Sequence, residues 1–219
     1  YDGSVERTRT RPIPSGQVTV MKAVVWMGFQ ALIASFILFS FNWVAITLGL
    51  VSLLPVLIYP FAKRFTWWPQ VFLGIAFNWG ALLAFAAHIG SLHVSAIFLY
   101  LSGIAWTLFY DTIYAHQDKE DDALIGIKST AQLFGDSTYK WLCFFSILSS
   151  ALMLGALWFC TSGLRFIICG LGVLSFWIHM IWQICKVNLD DAGNLLIIFR
   201  SNRNAGLLPL IFFVFSITL

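Results

Sequence analysis

The chain has 219 residues, 59% of them hydrophobic and only 11% charged, with a formal net charge of +3 and a mean hydropathy of +0.84. Soluble domains carry about 25% charged residues, so these figures exclude a water-soluble globule and imply a polytopic membrane protein whose surface meets the lipid bilayer. The net charge is too small to speak for nucleic acid, and no nucleic-acid partner is expected.

The chain starts at Tyr1 inside a polar segment, with neither an initiator methionine nor a visible signal peptide. An N-terminal part of the protein is therefore expected to be missing. Prolines and glycines make residues 1–16 a non-helical loop. In it, Arg7, Arg9 and Arg11 are suited to gripping phosphate oxygens or to anchoring the topology.

Seven apolar stretches follow, at about 20–41, 43–59, 68–88, 92–110, 138–160, 164–185 and 204–219. At about 1.5 Å rise per residue most can cross a ~30 Å hydrocarbon core. A lone span in lipid satisfies its own backbone hydrogen bonds only as a helix. The predicted class is all-α: a transmembrane helical bundle of about seven spans, with residues 1–219 forming a single domain. The second and seventh stretches are short. Cys143, Cys160, Cys169 and Cys185 lie in or near apolar runs without a CxxC pair, and are read as small apolar side chains.

Alternating spans place segments 1–22, 60–67, 111–137 and 186–203 on one side of the membrane. The other side receives only the turns near Asn42, Ser91 and Ser162. Of 13 Lys and Arg, 12 fall on the first side and only Arg165 on the second; all ten Asp and Glu also fall on the first. The Lys/Arg bias makes that side cytoplasmic, or matrix in a mitochondrion. The carboxylates mark it as the face that carries the chemistry.

On that face Tyr59-Pro60-Phe61-Ala62-Lys63-Arg64 is expected as a short loop. Its Lys63 and Arg64 either meet an anion, diphosphate or an aromatic carboxylate, or anchor the topology. Further along, Asp111, Tyr114, Asp118 and Asp122 are spaced i, i+3, i+7 and i+11. On one continuous helix they fall within about 80° of one another. Asp118 and Asp122 are one turn apart, with Cβ atoms about 5–6 Å from each other. Like charges at that spacing repel unless a cation sits between them. Magnesium is usually held by one or two carboxylates, waters and substrate phosphate. The row reads as a magnesium–diphosphate site at the membrane surface, or else as a solvated acidic loop. Glu120 and Asp121 leave the row and are expected in solvent, and His116 faces away from it. Lys128 is a further candidate phosphate contact, and Ser201-Asn202-Arg203-Asn204 adds polar groups before the last stretch. His88, His93 and His179 are read as packing or interfacial residues.

Together these pieces resemble the UbiA prenyltransferase superfamily, a family of all-helical membrane bundles of typically nine spans with two Asp-rich motifs. The second motif, D-x-x-Y-x-x-x-D-x-x-x-D, is complete as Asp111, Tyr114, Asp118 and Asp122. The loop DGSVERTRTRPIPSG resembles the stretch after the first motif, N/D-x-x-D-x-x-x-D, and Asp2 matches its last Asp. The preceding residues of that motif and the first two spans are absent. Within the superfamily, YPFAKRFTWWPQVFLGIAFNWG, YDTIYAHQDKEDDALIGIKSTAQLFG and FRSNRNAGLL resemble the 4-hydroxybenzoate branch.

The resemblance implies Mg²⁺-dependent transfer of a polyprenyl group from polyprenyl diphosphate to 4-hydroxybenzoate, at the ring carbon ortho to the hydroxyl, in ubiquinone biosynthesis. It implies that Asp118 and Asp122 hold one Mg²⁺, and that Asp2 with an absent Asp holds another. Asp111 and Tyr114 would support the site from below, and Arg7, Lys63, Arg64 and Lys128 would bind substrate. A bacterial plasma membrane is the expected location, with the mitochondrial inner membrane as the alternative. This piece by itself is expected to be inactive. Other aromatic acceptors remain open, as does an inactive membrane scaffold or a transporter. The span interiors, almost devoid of charge, disfavour transport. A CDP-alcohol phosphotransferase is disfavoured because Asp2-Gly3 and the DxxxD pair lie far apart and Glu6-Arg7 replaces its Ala-Arg.

Overall fold

The computed structural model describes residues 9–218. Among them the chain forms α1 (Val20–Phe39), α2 (Trp43–Val51), α3 (Leu53–Phe65), α4 (Pro69–Ile89) and α5 (Val94–Ala115). A 3-10 turn (His116–Asp118) leads to the short α6 (Lys119–Leu124) and α7 (Thr130–Phe134), and a second 3-10 turn (Gly135–Ser137) leads on. The long helices α8 (Thr138–Trp158), α9 (Gly163–Lys186) and α10 (Ala192–Ile217) complete the fold. No strand occurs among the described residues.

Among the described residues six helical segments are long and apolar enough to cross a membrane: Val20–Phe39, Trp43–Phe65, Pro69–Ile89, Val94–Leu124, Thr130–Trp158 and Gly163–Lys186. The second joins α2 and α3 at Ser52, so the short stretch 43–59 gains length beyond its expected end. The residues expected as a loop, Tyr59 to Arg64, are instead the end of α3. Pro60 is accommodated inside it, and the Thr66 N–H closes it on the Ala62 carbonyl at 3.0 Å. Lys63 and Arg64 occupy its last turn, where cations complement the helix dipole. The expected seventh stretch, 204–219, is the C-terminal part of α10, which already begins at Ala192. Asn194, Arg200, Asn202, Arg203 and Asn204 in its first half keep the whole helix out of the apolar set.

Caps define where the helices begin. The Asn42 Oδ1 accepts the Ala45 N–H at 3.1 Å while its Nδ2 donates to the Ala86 carbonyl at 2.8 Å. One side chain thus ties the start of α2 to the end of α4. Asp191 caps α10 by accepting the Gly193 and Asn194 N–H groups.

Helix α5 is central, packed against α4, α8 and α10, while α9 packs against α8 and α10. Phe109, Ile113, Leu142, Phe176, Met180 and Leu195 form the heart of the core. In lipid there is little hydrophobic drive between helices, so small residues and interhelical hydrogen bonds carry the packing. A Cβ on Gly172 of α9 would lie 2.8 Å from Phe212 Cβ in α10, and one on Gly155 of α8 would lie 2.6 Å from Phe98 of α5. Ser102 of α5 donates to the Ser149 carbonyl of α8 at 2.8 Å, and Ser149 donates back to the Ser102 carbonyl at 2.9 Å. At the other extreme, α1 buries no side chain.

Candidate active site

The C-terminal end of α5 carries the first half of the carboxylate row. Asp111 and Tyr114 are half-buried there, one turn apart. The Tyr114 ring packs on Phe199 of α10, centroids 4.4 Å apart. The second half is not on the same helix. α5 stops at Ala115, the chain tightens into the 3-10 turn, and Asp118 has φ −110° and ψ 11° before α6 starts. The expected single face of 100° steps therefore ends at the turn, because a 3-10 segment advances by about 120° per residue. Asp122 is brought to the site by a different partner. Its carboxylate, on a residue only 4% exposed, lies 3.7 Å from the Lys63 ammonium at the end of α3.

Several hydrogen bonds hold this arrangement. His116 turns away from the row, as expected, and its Nε2 meets the Thr138 hydroxyl at the start of α8 at 3.2 Å. The Ile127 N–H donates to the Asp122 carbonyl at 2.8 Å, and the Lys128 N–H donates to the Lys63 carbonyl at 3.0 Å. The chain reverses after α6 through Gly126, whose φ of 71° is a left-handed conformation that favours glycine. Thr130 anchors the far end of this loop. Its hydroxyl meets Thr112 of α5 at 2.7 Å, and its N–H donates to Gln70 Oε1 of α4 at 3.3 Å.

The structure brings Asp111, Tyr114, Asp118, Asp122 and Lys63 to one end of the bundle. Asp111 lies within electrostatic range of Lys63. Lys128 follows through its backbone bond to Lys63, and its ammonium lies over the Trp67 ring at 5.5 Å. Arg64 is exposed, about 100° round α3 from Lys63, with its guanidinium 5.5 Å from the Phe61 ring centroid. Asp2 and Arg7 lie outside the described residues. Arg11 does not: it lies in electrostatic range of Tyr59, as do Asp111 and Tyr114.

Sequence reasoning missed Tyr59 as a site residue. It lies within electrostatic range of Asp111, Tyr114 and Arg11, and shares one face of α3 with Lys63 at i, i+4. That spacing becomes meaningful only once the segment is known to be helical. Glu120 and Asp121 are exposed, as expected. With His116, Asp136 and Asp190 they line a separate polar cleft of about 650 Å³.

Among the described residues no group of three or more His, Cys, Asp or Glu side chains forms a metal-holding cluster. The donor set at the row would be Asp118 and Asp122, two carboxylates four residues apart, with the buried Asp122 charge offset by Lys63. Two carboxylates completed by substrate phosphate fit magnesium, whereas a closed protein cage would not be needed.

The chain is 45% identical over 208 residues to "4-hydroxybenzoate polyprenyltransferase, mitochondrial" of Drosophila pseudoobscura pseudoobscura, covering 94% of this chain and 52% of that protein. It is 53% identical over 158 residues to the Bos taurus protein of the same name, covering 72% of this chain and 42% of that one. The chain thus spans about half the length of the curated relatives it matches. Its fold is that of the apo structure of a UbiA homolog from Aeropyrum pernix K1, with a TM-score of 0.75 at 21% identity, over 99% of this chain and 80% of that one. The UbiA prenyltransferase family profile matches residues 1–202, and with the helical bundle and the carboxylate row at its end, the chain belongs to that family.

Proposed function

We propose that the protein transfers a polyprenyl group from polyprenyl diphosphate to 4-hydroxybenzoate, at the ring carbon ortho to the hydroxyl, as a step of ubiquinone biosynthesis. The observation that carries this reading is the pairing of Lys63 with the buried Asp122 beside Asp118, at the end of an otherwise apolar bundle. The relatives named as 4-hydroxybenzoate polyprenyltransferases support the acceptor.

Asp118 and Asp122 would hold Mg²⁺, which supplies neutralisation of the diphosphate as its C–O bond breaks. Lys63 and Lys128 bring two ammonium groups to the same end, and Arg64 and Arg7 remain candidates for the anionic substrate groups. The C–O electron pair leaves with the diphosphate. The allylic carbon is attacked by the electron-rich ring, which then loses a proton and regains aromaticity. Aromatic faces such as those of Tyr110, Tyr114 and Phe199 favour a cation over bulk water. The apolar tail lies among the helices or in the surrounding bilayer.

The location also shifts. A bacterial plasma membrane has no support among the named relatives, which are mitochondrial proteins, so we assign the mitochondrial inner membrane. The Lys/Arg bias then puts the carboxylate row on the matrix side.

The test is prenyl transfer by the full-length protein in membranes, with labelled 4-hydroxybenzoate, polyprenyl diphosphate and either Mg²⁺ or EDTA. Product that requires Mg²⁺ and is lost in Asp118→Ala supports the reading. Absence of product from a folded, inserted protein removes 4-hydroxybenzoate as the acceptor.

A further inference from the structure

A polar tie runs from the middle of the bundle toward the carboxylate row. Asn202 of α10 is buried, at 7% exposure. Its Oδ1 accepts the indole N–H of Trp106 in α5 at 3.0 Å. Its Nδ2 donates to the Phe199 carbonyl at 3.1 Å and contacts the Ile198 carbonyl at 3.4 Å. A buried amide is costly unless both ends are paired, and here both ends are. Leucine would fill the same volume without that requirement, so the amide is explained by what it orients.

What it orients is a line of rings. Trp106 stands edge-on to Tyr110, centroids 5.7 Å apart, and to Phe176 at 5.2 Å. Tyr110 meets Phe199 at 5.8 Å, and Phe199 lies 4.4 Å from Tyr114. Gly206, one turn beyond Asn202, provides the slot for the indole: a Cβ there would come within 2.9 Å of Trp106 Cη2. The Tyr110 hydroxyl is held in turn, 3.2 Å from the Thr107 hydroxyl. Asn202 therefore reaches the end of α5 by two routes, through Trp106 to Tyr110, the neighbour of Asp111, and through the backbone of Phe199 to Tyr114.

We propose that Asn202 is a positioning residue: it sets the orientation of Tyr110 and Tyr114 beside Asp111, and with it the alignment of the allylic diphosphate rather than its affinity. The kinetic consequence rests on the proposed prenyl transfer, whereas the orientation of the tyrosines does not.

Both are measured on the full-length protein, comparing wild type with Asn202→Leu, Trp106→Phe and the double variant. Each single variant is expected to lower kcat about tenfold while KM for polyprenyl diphosphate stays within about twofold. The double variant is expected to be no worse than Asn202→Leu alone, because that variant already removes the Trp106–Asn202 bond. An additive loss of about a hundredfold, or a rise in KM with kcat unchanged, overturns the proposal. The second readout is fluorine NMR of protein labelled with 3-fluorotyrosine. Asn202→Leu is expected to move the Tyr110 and Tyr114 resonances and to leave Tyr139, which donates to the Val187 carbonyl at 3.2 Å, in place. Unmoved Tyr110 and Tyr114 resonances overturn the proposal even if wild type gives no product, an outcome that would sink only the assigned reaction. If Asn202→Leu does not fold, Trp106→Phe, which removes the N–H and keeps an aromatic ring, gives the kinetic readout and the Tyr110 resonance.

Discussion

The Lys63 ammonium lies 3.7 Å from a carboxylate oxygen of Asp122, joining the last turn of α3 to the short helix that follows α5. The lysine side chain is 44% exposed and the aspartate side chain 6% exposed, so the ammonium stays partly open while the carboxylate is covered. Lys63→Met is expected to raise KM for polyprenyl diphosphate about tenfold, a loss of the order of a charge-assisted contact. Screening at the exposed lysine keeps the stability loss to about 1 kcal/mol. Initial rates over a diphosphate series, with thermal unfolding in detergent, check both.

The acidic side chains of 118–122 divide by position. Asp122 is buried and Asp118 half-buried, while Glu120 and Asp121 are exposed on the cleft side. On the proposed Mg²⁺ site, Asp118→Asn and Asp122→Asn are expected to lower kcat/KM at least about a hundredfold. Glu120→Gln and Asp121→Asn are expected to stay within about twofold. Titration of activity with Mg²⁺ separates the two pairs. An equal loss at all four positions would mean that bulk negative charge, and not ligand geometry, is what matters.

The reciprocal Ser102–Ser149 bonds hold α5 to α8 away from the chemistry. Ser102→Ala is expected to cost about 0.6–1.7 kcal/mol, the range for interhelical hydrogen bonds in membranes, with kcat unchanged. Unfolding in detergent micelles gives the first number and the transfer assay the second.

Gly172 faces backbone as well as side chain, because its virtual Cβ lies 3.2 Å from Pro209 Cα and 2.8 Å from Phe212 Cβ. Gly172→Leu is expected to force α9 and α10 apart and to reduce the inserted, folded yield by more than Ser102→Ala does. Gly80→Leu, where nothing lies within 4 Å, is the neutral control.

Much of this was readable from the chain. Composition alone placed the helices in lipid, and the spacing of Asp111, Tyr114, Asp118 and Asp122 identified the row. The rest depended on where helices stop. A pattern of apolar residues runs out at Tyr59 because the next residues are Pro60, Lys63 and Arg64, yet the backbone continues as helix to Phe65. Hydrogen bonding, which hydropathy does not register, carries it on. The reverse occurs after Ala115, where polar residues that would suit a helix are tightened into a 3-10 turn by the pull of Thr138 on His116 and of Lys63 on Asp122. Both are contacts between residues far apart in sequence. The Trp106–Asn202 bond spans 96 positions and has no local signature at all.

The break at His116–Asp118 has one more consequence. Asp111 and Tyr114 are mounted on α5, whereas Asp122 is tied to α3 through Lys63 and the Lys128–Lys63 backbone bond, and the loop after it returns to α5 through Thr130. The motif that reads as one string is mechanically two halves, mounted on separate helices like the jaws of a vice. The gap between them is therefore set by how α3 and α5 are joined across the loop, and not by the spacing of the motif alone.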